Sequence, residues 1–74
     1  MALPVVSGRE VIKALAKAGF KVVAKRGSHT RLKKKVSGKV FVVIVPDHAE
    51  LARGTLKSIL RQANITREDF LKLL

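Results

Sequence analysis

The apolar positions of this chain change their period twice. Val11, Ile12, Leu15 and Ala18 recur at helical spacing. Ser7 followed three residues on by Glu10 forms a capping box ahead of that run, and Gly19 supplies a stop behind it, so the pattern predicts a helix over Gly8–Ala18. Three strand-like stretches follow. "FKVVAKR" (Phe20–Arg26) is rich in β-branched residues but alternates imperfectly, "HTRLKKKV" (His29–Val36) alternates better, and "KVFVVIV" (Lys39–Val45) is a near-continuous apolar run closed by Pro46. Gly27-Ser28 and Ser37-Gly38 are the turn signals between them, which predicts a three-stranded antiparallel meander.

Helical spacing then returns. Thr55 reads as the N-cap of a helix over Leu56–Ala63, with Gly54 as a turn feeding the cap and Asn64 as the stop. Thr66 reads as the cap of a last short helix, with Phe70, Leu73 and Leu74 at core spacing and Glu68 and Asp69 near its positive end. The expected class is α+β, in the order α-β-β-β-α with a short extra C-terminal helix. Two helices cover only one face of such a sheet. No linker, repeat or low-complexity tract divides residues 1–74, which read as a single domain.

Strand parity separates the side chains of the second strand. His29, Arg31, Lys33 and Lys35 fall on one face, and Thr30, Leu32, Lys34 and Val36 on the other. Leu32 and Val36 are expected to face the helices, which sends His29 outward with three cations. Lys34 is the misfit, and a strand-end or edge position would let its stem bury while its ammonium reaches water. In the third strand Val40, Val42 and Ile44 share one face, and Phe41, Val43 and Val45 the other. In the first, Val23 points away from Phe20, Val22 and Ala24. The helices cannot cover all of these, so an apolar patch is expected beside the basic strand, the usual mark of an interaction surface.

Charge sharpens this picture. The net charge is +11, and residues 11–46 hold ten lysines and arginines and no acid, whereas the other 38 residues hold six bases and five acids. Such concentration is expected of a footprint for a phosphate backbone. The competing explanation is that lysines protect an exposed sheet from aggregation. With 74 residues the chain buries only about 60% of its unfolded surface. A large enclosed cavity for a small molecule is therefore not expected. It has no cysteine, hence neither a disulfide nor a thiolate metal site. The opening "MALPVVSGRE" lacks a cationic start and is too short in its apolar part for a leader or a membrane span, so the chain reads as soluble and cytoplasmic.

A histidine among cations has a specific use on RNA. The 2′-hydroxyl is a built-in nucleophile, and a neutral imidazole within reach can take its proton as it attacks the adjacent phosphorus, a contribution of roughly 10²–10⁴-fold. Lysine and arginine nearby stabilise the charge that develops on the phosphorus oxygens. The plainer alternative for His29 is a residue that merely ends a turn. His29, Asp47 and His48 lack the spacing of a metal site. Trp and Tyr are absent, and the three Phe fall at core-like positions, so no aromatic stacking platform for RNA is available.

"GSHTRL", the apolar strand ending in "VPDH", and "ELARGTLKSILRQANITREDFLKLL" together resemble the HicA (YcfA-like) toxins of toxin–antitoxin systems. The likeness begins in "REVIKALAKAGF" and runs to the C-terminus. It implies a fold like that of double-stranded-RNA-binding domains, a metal-independent endoribonuclease acting on mRNA with no cofactor, and a HicB-like antitoxin as partner. It also implies that His29, within Gly-Ser-His, is catalytic. Gly27 then serves backbone conformation and Ser28 offers a hydrogen bond to RNA, while Arg31, Lys33 and Lys35 are the candidate phosphate contacts. His48 falls where the family often has a second histidine. It reads either as a substrate contact or proton donor, or as a loop residue leading toward the second long helix. The alternative function is a non-catalytic double-stranded-RNA-binding module of the same fold.

Overall fold

The computed structural model describes residues 3–74; Met1 and Ala2, with which the opening stretch begins, lie outside the described residues. Its elements are α1 (Gly8–Lys17), β1 (Lys21–Arg26), β2 (His29–Val36), β3 (Lys39–Pro46), α2 (Arg53–Ala63) and α3 (Arg67–Leu73). The predicted α+β order is observed. The strands form one antiparallel sheet in the order β1-β2-β3, with the helices on one face. This arrangement is compatible with the double-stranded-RNA-binding type of fold.

Local chemistry explains most boundaries. The Ser7 hydroxyl accepts from the Glu10 amide at 3.1 Å, and the Glu10 carboxylate accepts from the Ser7 amide at 3.0 Å, so two otherwise orphaned donors at the start of α1 are satisfied. Thr66 caps α3 through the Asp69 amide at 3.1 Å, and Asn64 ends α2 in the left-handed region at φ 56°. The second hairpin turns through Ser37 and Gly38, both at positive φ, as a type I′ turn requires.

The core lies between the helices and the inner face of the sheet. Val11 and Leu15 of α1, Leu32 of β2, Val43 and Val45 of β3, Leu56 and Ile59 of α2 and Phe70 of α3 are buried together. Fully burying an aliphatic side chain of this size stabilises by roughly 1.5–3 kcal/mol before chain entropy is counted. The helices leave β1 uncovered, and all six of its residues are exposed. Val22 of β1 is accordingly 54% exposed, and Val36, expected to face the helices, is 42% exposed at the last position of β2.

Three expectations need correction. The helix predicted from Leu56 begins at Arg53 after Ala52, which makes no side-chain cap, so Thr55 and Gly54 lie within its first turn. Buried Leu51, whose amide donates to the Val6 carbonyl at 2.8 Å, fixes the chain just upstream, and tertiary anchoring overrides the local capping preference. Lys34 is neither at an edge nor at a strand end, because β2 is the central strand. Its ammonium donates to the Ala18 carbonyl at 2.5 Å and lies 5.8 Å from the Phe20 ring centre. The cation thus meets the negative end of α1, where a positive charge is favoured.

The third correction concerns β1. Val22 pairs with Leu32, but Ala24 pairs with Arg31, so Val23 is an extra residue forming a β-bulge. Beyond it the parity reverses. Ala24 does not share a face with Val22; it and Arg26 join the outer face. His48 lies in the loop between β3 and α2 as expected, and its carbonyl accepts from the Gly8 amide at 2.9 Å, which ties that loop to the start of α1.

Candidate nucleic-acid interface

The outer face of the sheet gathers most of the residues singled out in the sequence. Gly27 occupies the first position of the β1–β2 turn at φ +57°, a conformation that favours glycine although the space around it is open. Ser28 follows, and its carbonyl accepts from the Asp47 amide at 2.6 Å, tying the turn to the chain just past β3. His29 begins β2 directly after. It stands between Arg26 of β1 and Pro46 of β3 and is exposed.

From His29 the odd-numbered residues of β2 run outward as expected. Arg31, Lys33 and Lys35 are exposed, while Thr30 and Leu32 between them are buried. Successive residues on one face of a strand stand about 6.7 Å apart, so these three cations form a regular track leading away from His29. Lys21 lies opposite Lys33, and no acidic residue occurs on any of the three strands. A field of one sign over a sheet face attracts polyanions and concentrates them there.

The bulge at Val23 adds what parity alone had missed. It sets Arg26 directly across from His29, and Ala24 across from Arg31. Ala24, Lys25, Arg26, His29, Arg31 and Ile44 line an open groove of about 540 Å³. A histidine flanked by two guanidinium groups at the wall of a groove can meet a phosphodiester from one side, with donors available to its non-bridging oxygens. The adjacent Val22-Val23 pair, which spoils the alternation of the first strand, was the signal for this shift.

The other candidates lie close by in the chain path. Asp47 and His48 directly follow Pro46, the partner of His29 in the ladder, and both are exposed. The Gly8 backbone holds this segment tightly: a Cβ at Gly8 would come within 2.1 Å of the Pro46 carbonyl oxygen. Glycine is required there for close approach rather than for its dihedral freedom. Among the described residues no three His, Cys, Asp or Glu side chains converge, so His29, Asp47 and His48 do not assemble as a ligand set.

Residues 8–65, from the first residue of α1 to just beyond α2, match the model of the family described as the HicA toxin of bacterial toxin–antitoxin systems. The chain belongs to the HicA toxin family. A search of curated proteins gave no match. The matched span holds the whole sheet, the Gly27–His29 turn and the basic track, and leaves α3 outside it. Membership in this HicA family of toxin–antitoxin systems implies an antitoxin as partner. Among the described residues no helix is long and apolar enough to cross a membrane.

Proposed function

We propose that this single-domain HicA-family protein is an endoribonuclease toxin that cleaves mRNA in the cytoplasm and is neutralised by a HicB-like antitoxin. The observation that carries the reading is the position of His29, exposed at the head of an outward row of cations and faced by Arg26 across the ladder. His29 acts as general base on the RNA 2′-hydroxyl. The freed oxygen attacks the adjacent phosphorus, the bond to the 5′-oxygen breaks, and that oxygen takes a proton from solvent, which reaches this open face. Products end in a 2′,3′-cyclic phosphate and a 5′-hydroxyl. Arg31 and Arg26 hold the non-bridging oxygens as charge develops, Lys33 and Lys35 hold neighbouring phosphates, and Ser28 donates a hydrogen bond to the RNA. Gly27 sets the turn that presents Ser28 and His29.

The reaction needs no metal or cofactor. His29→Ala is expected to lower the cleavage rate by roughly 10²–10⁴-fold while RNA binding is retained, measured by single-turnover cleavage and by filter binding. A single 2′-deoxy substitution at the cleaved position should block the wild type. Inhibition by EDTA, or cleavage of DNA, would instead point to a metal-activated water. Binding of RNA by the wild type with no cleavage at all would leave the non-catalytic double-stranded-RNA-binding alternative.

A further inference from the structure

The outer face carries a second stripe that the cleavage chemistry leaves unused. Val40, Val42 and Ile44 of β3 are 48%, 45% and 44% exposed, so nearly half of each aliphatic side chain is open. The ladder pairs them one to one with the cations: Lys35 with Val40, Lys33 with Val42, and Arg31 with Ile44. Directly paired residues on one face have side chains about 5 Å apart, and the pattern repeats every ~6.7 Å along the strands. The surface is thus a repeated unit, one cation beside one aliphatic group, starting next to His29.

A ligand that matches it carries one anion and one flat apolar group per repeat, at a spacing close to that of consecutive nucleotides in an extended strand. We infer that the outer face binds single-stranded RNA with its phosphates along β2 and its bases laid over Val40, Val42 and Ile44. Duplex RNA does not fit this role. It presents phosphates and sugars outward and keeps the flat faces of its bases stacked inside, where an aliphatic stripe cannot reach them. A second copy of this chain fits poorly as well, because self-association through this face would bring two rows of cations together in a protein of net charge +11. Aliphatic groups contact every base alike, so the stripe confers a preference for unpaired strands rather than for a sequence.

The inference rests on the reading of this face as an RNA site and adds the form of RNA and its orientation. The test uses the full chain carrying His29→Ala, so that substrate survives, and compares a fluorescent single-stranded RNA with a duplex RNA of the same length. Replacing Val40, Val42 and Ile44 with threonine keeps strand preference while removing apolar contact. The expected result is a loss of single-strand affinity on the order of tenfold with duplex binding unchanged, the size expected from a few lost methyl contacts. A denaturant titration checks that the variant is folded, and Val42→Thr alone should give a smaller loss in the same direction.

Unchanged single-strand affinity in the threonine variant, or parent protein that prefers duplex, overturns the inference and leaves the cleavage proposal standing. Retained RNA binding with lost antitoxin binding assigns the stripe to the protein partner and overturns it too. A dimer of the parent, seen by light scattering and abolished by the threonine substitutions with RNA affinity intact, assigns it to a second copy. Absence of any RNA binding by the parent at low salt overturns both readings.

Discussion

The two faces of one sheet divide the work of this molecule. On the inner face Thr30, Leu32, Val43 and Val45 are buried beneath the helices, and on the outer face their immediate neighbours His29, Arg31, Lys33, Val42 and Ile44 are exposed. The same strands supply both sets, one residue apart. Stability and the proposed chemistry are therefore separated by parity alone, and substitutions on adjacent residues should produce unlike defects.

The largest stability effect is expected on the inner face. Leu32→Ala removes a fully buried side chain from the centre of the core and should cost about 2–5 kcal/mol of unfolding free energy in a urea titration. The folded fraction should keep its single-turnover cleavage rate; a specific loss of rate would mean that the faces are coupled. Gly8→Ala comes next. The added methyl would collide with the Pro46 carbonyl, and forcing the two apart should cost roughly 1–3 kcal/mol. Because Pro46 pairs with His29, this is the one inner-layer change expected to disturb the outer face, seen as lowered cleavage at temperatures where the protein is still folded.

Smaller still is the effect of the basic track. Replacing Lys33 and Lys35 together with glutamine should reduce the slope of log affinity against log salt by about 1.4, the value for two phosphate contacts on a single strand. Melting should change little, since both side chains are exposed. Lys34→Gln makes the opposite pattern. It should leave the salt slope alone and cost about 1 kcal/mol through loss of the bond to the Ala18 carbonyl. An equal salt effect from Lys34 would break the division between the faces.

Much of this division was legible in the residues themselves. The capping box at Ser7 and Glu10, the two glycine turns, the Thr66 cap and the alternation of β2 and β3 are local signals, and local signals survive folding when they agree with burial. The exposed row from His29 to Lys35 followed directly from them. What was not legible depends on partners distant in the chain. The bulge at Val23 exists only relative to the register of β2, so Arg26 could not be placed beside His29 by counting along β1. The start of α2 depends on Leu51 being held by Val6. The contact that makes Gly8 necessary joins the first residue of α1 to the last of β3, a proximity that no periodicity encodes.

The uncovered position of β1 has a kinetic side. Central β2 is held by ladders on both flanks, whereas β1 has one ladder, interrupted by a bulge, and no helix packed over it. Local opening costs least where few apolar contacts are lost, so β1 should detach and return many times for each global unfolding event, and its amides should exchange hydrogen well before those of β2 and β3. Arg26 rides on that strand, while His29, Arg31 and the aliphatic stripe ride on the rigid pair. The groove thus has one wall expected to hold firm and one expected to open, and in the proposed RNA complex Arg26 would close over a strand already met by His29 and Arg31.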